Sequence, residues 1–198
     1  MRAAEQKRPD VAQKREAWRK AQPDLAGRRL IFLDETGAAT NMTRRYGWAP
    51  RGQRAVGYAP NGHRKTTTFL AGLTADGFIA PFVLDGPINQ AIFTEYVRQF
   101  LVPVLEPGDI VILDNLSSHK GEEAAALIAA CGAELRFLPP YSPDMNPIEN
   151  AFAKLKELLR QAAERTREAL WRRIGRLLQQ FSPHQCANYI SHAGYALS

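Results

Sequence analysis

Asp34, Asp114 and Glu149 are the side chains in this sequence best suited to do chemistry. Asp114 closes the apolar run Ile110–Leu113, Asp34 closes Leu30–Leu33, and Glu149 follows Asp114 after 34 intervening residues. A sheet fixes the backbone of residues at strand ends while their tips face solvent. Carboxylate oxygens are hard ligands suited to Mg²⁺. Two such ions roughly 3.5–4 Å apart activate an attacking oxygen and stabilise a leaving one. The chemistry indicated is metal-dependent cutting and joining of nucleic acid phosphodiesters. Each acid also has a plain structural reading. Asp34 before Glu35-Thr36-Gly37, and Asp114 before Asn115, both suit the start of a turn. Asn146-Pro147-Ile148-Glu149 reads as a helix start, with Asn as cap, Pro first and Glu third. The three acids form a site only if one fold brings them together.

The elements that must do so are legible in outline. Residues 2–29 are polar, with helix-tolerant residues around Val11–Lys20 and breaks at Pro23 and Gly27, giving a helix or tether. Leu30–Leu33 is a short strand stopping at Asp34. Residues 37–62 are rich in Gly, Pro, Arg and aromatics, and predict a loop with a short strand near Arg54–Tyr58. Thr66–Leu73 and Phe78–Leu84 flank an Asp-Gly turn, a hairpin pattern. Apolar spacing predicts a helix within Asn89–Leu105, a strand over Asp109–Leu113, a helix over Glu122–Ala130 stopped near Gly132, and a strand over Leu135–Leu138. A helical stripe follows at Ile148, Phe152, Leu155, Leu159 and Ala162. Thr166 then caps a helix bearing Leu170, Ile174, Leu177, Leu178 and Phe181, a stripe suited, with Trp171, to core or dimer contact. An antiparallel start with later parallel strands implies a mixed α/β sheet.

Composition sets the outer bounds. With 198 residues, 45% apolar and 23% charged, the chain suits one soluble domain with a sizeable core. Its apolar runs fall far short of the ~20 residues of a membrane span, and its polar start lacks a signal core, so a cytoplasmic location is expected. Cys131 and Cys186 are isolated thiols without metal-ligand spacing. The net charge of +6 is concentrated in residues 1–29, which hold nine Lys and Arg against four Asp and Glu. Such an arm is compatible with phosphate contact, but a charge run alone more often marks a solvated helix or linker.

Longer strings around the acids narrow the reading. Ile110–Lys120 (IVILDNLSSHK) and Leu138–Lys156 (LPPYSPDMNPIENAFAKLK) resemble the DDE endonuclease domain of mariner-superfamily transposases, most of all the bacterial insertion-sequence branch. Leu30–Gly37 (LIFLDETG), TNMTRRYGWAPRG, GHRKTTTFLAGL and the C-terminal NYISHAGY extend the resemblance over about residues 28–198, and the 34-residue gap is usual in that superfamily. The resemblance implies an RNase H-like, five-stranded mixed sheet flanked by helices over residues 30–198. It also implies two Mg²⁺ ions, with Mn²⁺ as a substitute. Asp34 would bridge both ions, Asp114 would help hold one and Glu149 the other. Activated water would cut the element's ends, and the freed 3′-hydroxyl would attack target DNA, by superfamily habit at TA. Asn115 and His119 also match the family block, with supporting roles beside the metal or phosphate; a structural His fits equally. Arg44, Arg45, Trp48, Arg51 and Arg54 suit contact with DNA backbone or an unpaired base, or a solvated loop. Lys154 and Lys156 share the helix of Glu149 and face DNA on this reading.

In one respect the chain departs from the family. Members carry one or two helix-turn-helix units ahead of the catalytic domain, and about 29 residues are too few for one. The expected partners are therefore double-stranded DNA, a second copy of the chain and a helix-turn-helix protein from an adjacent reading frame. Two alternatives stay open: another nuclease of the same fold, and a non-catalytic DNA-binding or assembly protein derived from a transposase.

Overall fold

Side-chain alternation along the first strand determines how the molecule is layered. The structure is a computed structural model describing residues 4–58, 60, 66–115 and 121–196. Strand β1 (Leu30–Ala39) is central in a five-stranded sheet ordered β3-β2-β1-β4-β5. It pairs antiparallel with β2 (Thr66–Thr74), which turns back into β3 (Gly77–Asp85). On its other edge it pairs parallel with β4 (Ile110–Leu113), which pairs parallel with β5 (Glu134–Phe137).

Successive side chains of a strand point to opposite faces. Leu30 and Phe32 of β1, with Ile110 and Ile112 of β4, therefore enter one core, and Ile31, Leu33, Val111 and Leu113 enter the other. The first core is closed by α4 (Pro147–Ala162), α5 (Arg167–Leu178) and α6 (Pro183–His192). The second is closed by α2 (Gln90–Tyr96), its continuation to Val104, and α3 (Glu122–Ala130). The expected mixed sheet flanked by helices is present.

Helix ends follow local chemistry. Asn89 caps α2 by accepting from the Ile92 amide at 2.9 Å, and Thr166 caps α5 by accepting from Ala169 at 3.2 Å. Ser182 caps α6, a helix the apolar spacing did not predict. Its buried residues, Cys186 and Ile190, are too few to form a long stripe.

Two expectations change. Strand β1 does not stop at Asp34 but runs on to Ala39, because β2 pairs with it through Ala39↔Thr66. No strand forms at Arg54–Tyr58. Those residues are exposed and irregular, without a neighbouring strand to take up their backbone groups. Of the helix or tether expected of the leading segment, the helix forms: α1 (Pro9–Ala21) and the turn after it bury Val11, Arg15, Gln22 and Leu25.

Candidate active site

Period-2 alternation puts Asp34 and Asp114 on one face of the sheet. Asp34 follows Leu30 and Phe32, and Asp114 follows Ile110 and Ile112, all on the side covered by α4. The parallel register ends at Leu33↔Leu113, so the next residues on the two strands are the two aspartates, level with each other. Strand β4 stops there while β1 continues, which opens a gap in the sheet. Residues 138–146 cross that gap from β5 to α4, whose first turn carries Glu149. Asp34, Asp114 and Glu149 thus line one cavity of about 440 Å³, with Asn115, Asn146 and the wall Leu138–Pro143. A role for Asn115 rests on its place in that lining; His119 lies outside the described residues.

The acids differ in depth. Asp34 is buried, Asp114 half-buried and Glu149 exposed at the rim. Asp34 is pushed up to about 8, first by burial, then by the charges of Asp114 and Glu149, against the Glu35 amide that donates to it. Glu149 is also raised, by protein packed round its carboxyl and by Asp114, with Lys156 opposing. Both hydrogen bonds described at Asp34 come from uncharged donors, the Glu35 amide to Oδ1 and Asn146 Nδ2 to Oδ2, each at 2.8 Å.

Asn146 is the site residue that sequence reasoning missed. It stands at the cap position of α4, as expected, but its side chain makes no capping bond. Such a bond contributes about 1 kcal/mol to a helix. The amide is turned to Asp34 instead and is 4% exposed, with its Oδ1 buried and without a hydrogen-bond partner among the described residues. The asparagine was visible in the sequence as a cap; its diversion required the neighbouring strand.

The donor set fits a divalent cation of the Mg²⁺ type: carboxylate and amide oxygens, with neither thiol nor imidazole among the described lining residues. A buried carboxylate beside two others is costly when ionised, and a cation removes that cost. Among the described residues, no three acids, histidines or cysteines close on a single point. The three acids instead share the lining of one cavity.

The basic residues divide. Arg45 and Lys156 line a recess beside Glu149 with Phe152, Ala153 and Arg160, and Arg44 lines a neighbouring one with Tyr58, Arg160 and Arg165. Arg165 ties the start of this loop by donating to the carbonyls of Thr40 and Met42 at 3.0 Å. Trp48, Arg51 and Arg54 are exposed on the same loop, outside both recesses.

Lys154, expected to face DNA, is engaged within the protein. Its ammonium donates to the Gln180 carbonyl and Gln185 Oε1 and sits 4.4 Å from the centre of the Phe181 ring. Helical geometry separates it from Lys156 by two residues and so turns it toward α6. Lys154→Ala is expected to cost about 1–2 kcal/mol. Thermal melting would show this as a loss of several degrees, while filter binding finds DNA affinity unchanged; Lys156→Ala should do the reverse.

Residues 29–171 match the family described as DDE superfamily endonuclease. No curated protein sequence matches the chain. Among solved structures, the Mos1 transposase paired-end complex with left transposon end aligns at TM-score 0.75 and 19% identity, over 98% of this chain and 66% of that one. The mariner Mos1 paired end complex with Mg gives 0.71 at 18%, over 94% and 62%. The catalytic domain of Mos1 mariner transposase gives 0.68 at 15%, over 98% and 91%. The chain spans less than two thirds of the proteins in the two complexes and most of the isolated catalytic domain. At such identities the likeness establishes the fold, the RNase H-like mixed sheet. Among the described residues, no helix is long and apolar enough to cross a membrane. With a family match covering most of its length, and three acids from β1, β4 and α4 on one cavity, the chain belongs to the DDE superfamily endonucleases.

Proposed function

We propose that this chain is the catalytic domain of a mariner-superfamily DNA transposase of the bacterial insertion-sequence branch, which cuts transposon ends and joins them to target DNA. The observation that carries the reading is the shared cavity of Asp34, Asp114 and Glu149. Asp34 holds cation charge from the cavity floor, Asp114 from the strand end and Glu149 from the first turn of α4. Two Mg²⁺ ions, or Mn²⁺, supply Lewis acidity to the phosphodiester and activation of the attacking oxygen when bound. Asn146 keeps one oxygen of Asp34 directed, through the bond at 2.8 Å. Arg45 and Lys156 offset phosphate charge beside Glu149, Arg44 does so from the neighbouring recess, and Trp48, Arg51 and Arg54 extend that surface along the loop. Asn115 supports the Asp114 corner, and His119 is assigned its supporting role by its match to the family block alone. The partners are double-stranded DNA at transposon end and target, a second copy of the chain, and a helix-turn-helix protein from an adjacent frame. The Mos1 structures include a paired-end complex with left transposon end and a strand transfer complex, which supports the DNA partner. The working compartment is the bacterial cytoplasm, at the nucleoid.

The test is cleavage of a duplex bearing the inverted repeats that flank the gene, set beside an RNA–DNA hybrid. Mg²⁺-dependent nicking of the duplex, lost in folded Asp114→Ala, is expected. Binding without cleavage under Mg²⁺ or Mn²⁺, or cleavage of the hybrid alone, would sink the reading.

A further inference from the structure

We infer that Arg15 of α1 is a positioning residue for the acid cavity, acting through the loop between β5 and α4 that forms its wall. The inference rests on the functional reading above. The charges of α1 contain an anomaly. Lys14, Arg19 and Lys20 on the same helix are exposed, as a phosphate-seeking arm would be, but Arg15 is 5% exposed. A buried guanidinium is unfavourable unless its fork is paired. Both terminal nitrogens of this one are engaged with a single short segment. It donates to both carboxylate oxygens of Asp144 at 2.9 and 2.7 Å, to Ser142 Oγ at 2.7 Å and to the Tyr141 carbonyl at 3.3 Å.

That segment needs holding. Tyr141 has φ of +55°, a left-handed conformation unfavourable for a residue with a side chain. Its carbonyl receives Arg15 and also Gln6 Nε2 at 2.7 Å, both from the N-terminal region. A second strut reaches the far end of the loop. Trp18 Nε1 donates to the Tyr195 hydroxyl at 3.0 Å, which donates to the Met145 carbonyl at 2.9 Å. The next residue is Asn146, whose amide holds Asp34, and three residues later comes Glu149. Helix α1 therefore grips the wall at residues 141, 142, 144 and 145, just before two of the cavity's key side chains. This helix precedes residues 29–171, the stretch that matches the family.

The experiment uses the full chain with Arg15→Ala, Arg15→Lys and Asp144→Asn, and Arg8→Ala as a control on an exposed cation of the same region. Mn²⁺ binding is read by electron paramagnetic resonance, local order by amide hydrogen exchange, and nicking by kcat and KM. Arg15→Ala should weaken Mn²⁺ binding about tenfold, the lower end of the effect of removing a group that orients metal ligands. Exchange should quicken at residues 138–149 while β1 and β4 stay protected, and kcat should fall with KM little changed. Arg15→Lys should recover part of the loss, and Arg8→Ala should leave Mn²⁺ binding as it is. If Arg15→Ala does not fold, Asp144→Asn, at a half-exposed side chain, should still weaken binding. Normal Mn²⁺ binding by the variants overturns this inference alone, as does exchange that quickens throughout the sheet. A wild-type chain that binds no Mn²⁺ overturns the functional reading as well.

Discussion

Asp34→Asn is expected to make the metal-free protein more stable and catalytically dead at once. Asp34 lies in the sheet, 6% exposed, at the level of Asp114 and across the cavity from Glu149. Burial and those two charges push it up to about 8. At pH 7 the unfolded chain carries this aspartate ionised and the folded chain carries it largely protonated, so folding must take up a proton. Each pKa unit of displacement is worth about 1.4 kcal/mol, which sets an upper bound of about 4 kcal/mol for the penalty at that pH. The substitution removes the ionisation while keeping the shape. It also suits the surroundings, because the new amide nitrogen needs an acceptor and the buried Oδ1 of Asn146 supplies one when that side chain flips. The melting temperature should rise by about 5 °C or more in EDTA. Strand cleavage should fall roughly 10³-fold or more, the scale of losing a charge that stabilises a transition state. A destabilised Asp34→Asn variant would show that the carboxylate is held by structure rather than reserved for a ligand.

That opposition between stability and chemistry also explains which parts of the molecule were legible in its sequence. Asp34 and Asp114 could be assigned to neighbouring strand positions because apolar runs reveal strands and period 2 reveals faces. Their convergence then followed from a parallel pairing that a later βαβ order favours. The continuation of β1 past Asp34 was hidden, since Asp34-Glu35-Thr36-Gly37 reads as a turn until β2 is seen to pair with it. Asn146 was visible only as a cap, because a cap and an anchor for a neighbouring carboxylate use the same residue type at the same place. Arg15 and Lys154 could not be told from solvated cations. A helix as polar as α1 gives no signal for which charge points inward, and the partners of Arg15 lie more than 120 residues away. What sequence misses here is the set of polar contacts made across the fold, and those contacts surround the site.

The second large effect expected is an inverted dependence of stability on pH, cancelled by a divalent cation. Most acids in folded proteins gain partners, as Asp144 does: the Arg15 guanidinium holds it below its ordinary value. Its contribution is present above the unfolded pKa and is lost as pH falls through the folded one. Asp34 has the opposite sign. Below about pH 4 both its folded and unfolded forms are protonated, and it imposes no penalty. Between there and about 8 the unfolded chain alone gives up the proton, so stability declines by at most about 1.4 kcal/mol per pH unit. Glu149, raised by the protein packed round its carboxyl and by Asp114 against Lys156, adds to the decline. Above about 8 the loss is complete. Thermal melts in EDTA should therefore fall between pH 5 and 8, and the fall should flatten in Asp34→Asn. Mg²⁺ binds only the folded, ionised site, so its stabilisation grows with concentration over the dissociation constant. Over pH 5 to 8 it should be largest at pH 8, where the fewest protons must be displaced. A melting temperature that climbs from pH 5 to 8 without metal, or an Mg²⁺ increment independent of pH, would mean that the three carboxylates do not share the cavity charge as the geometry requires.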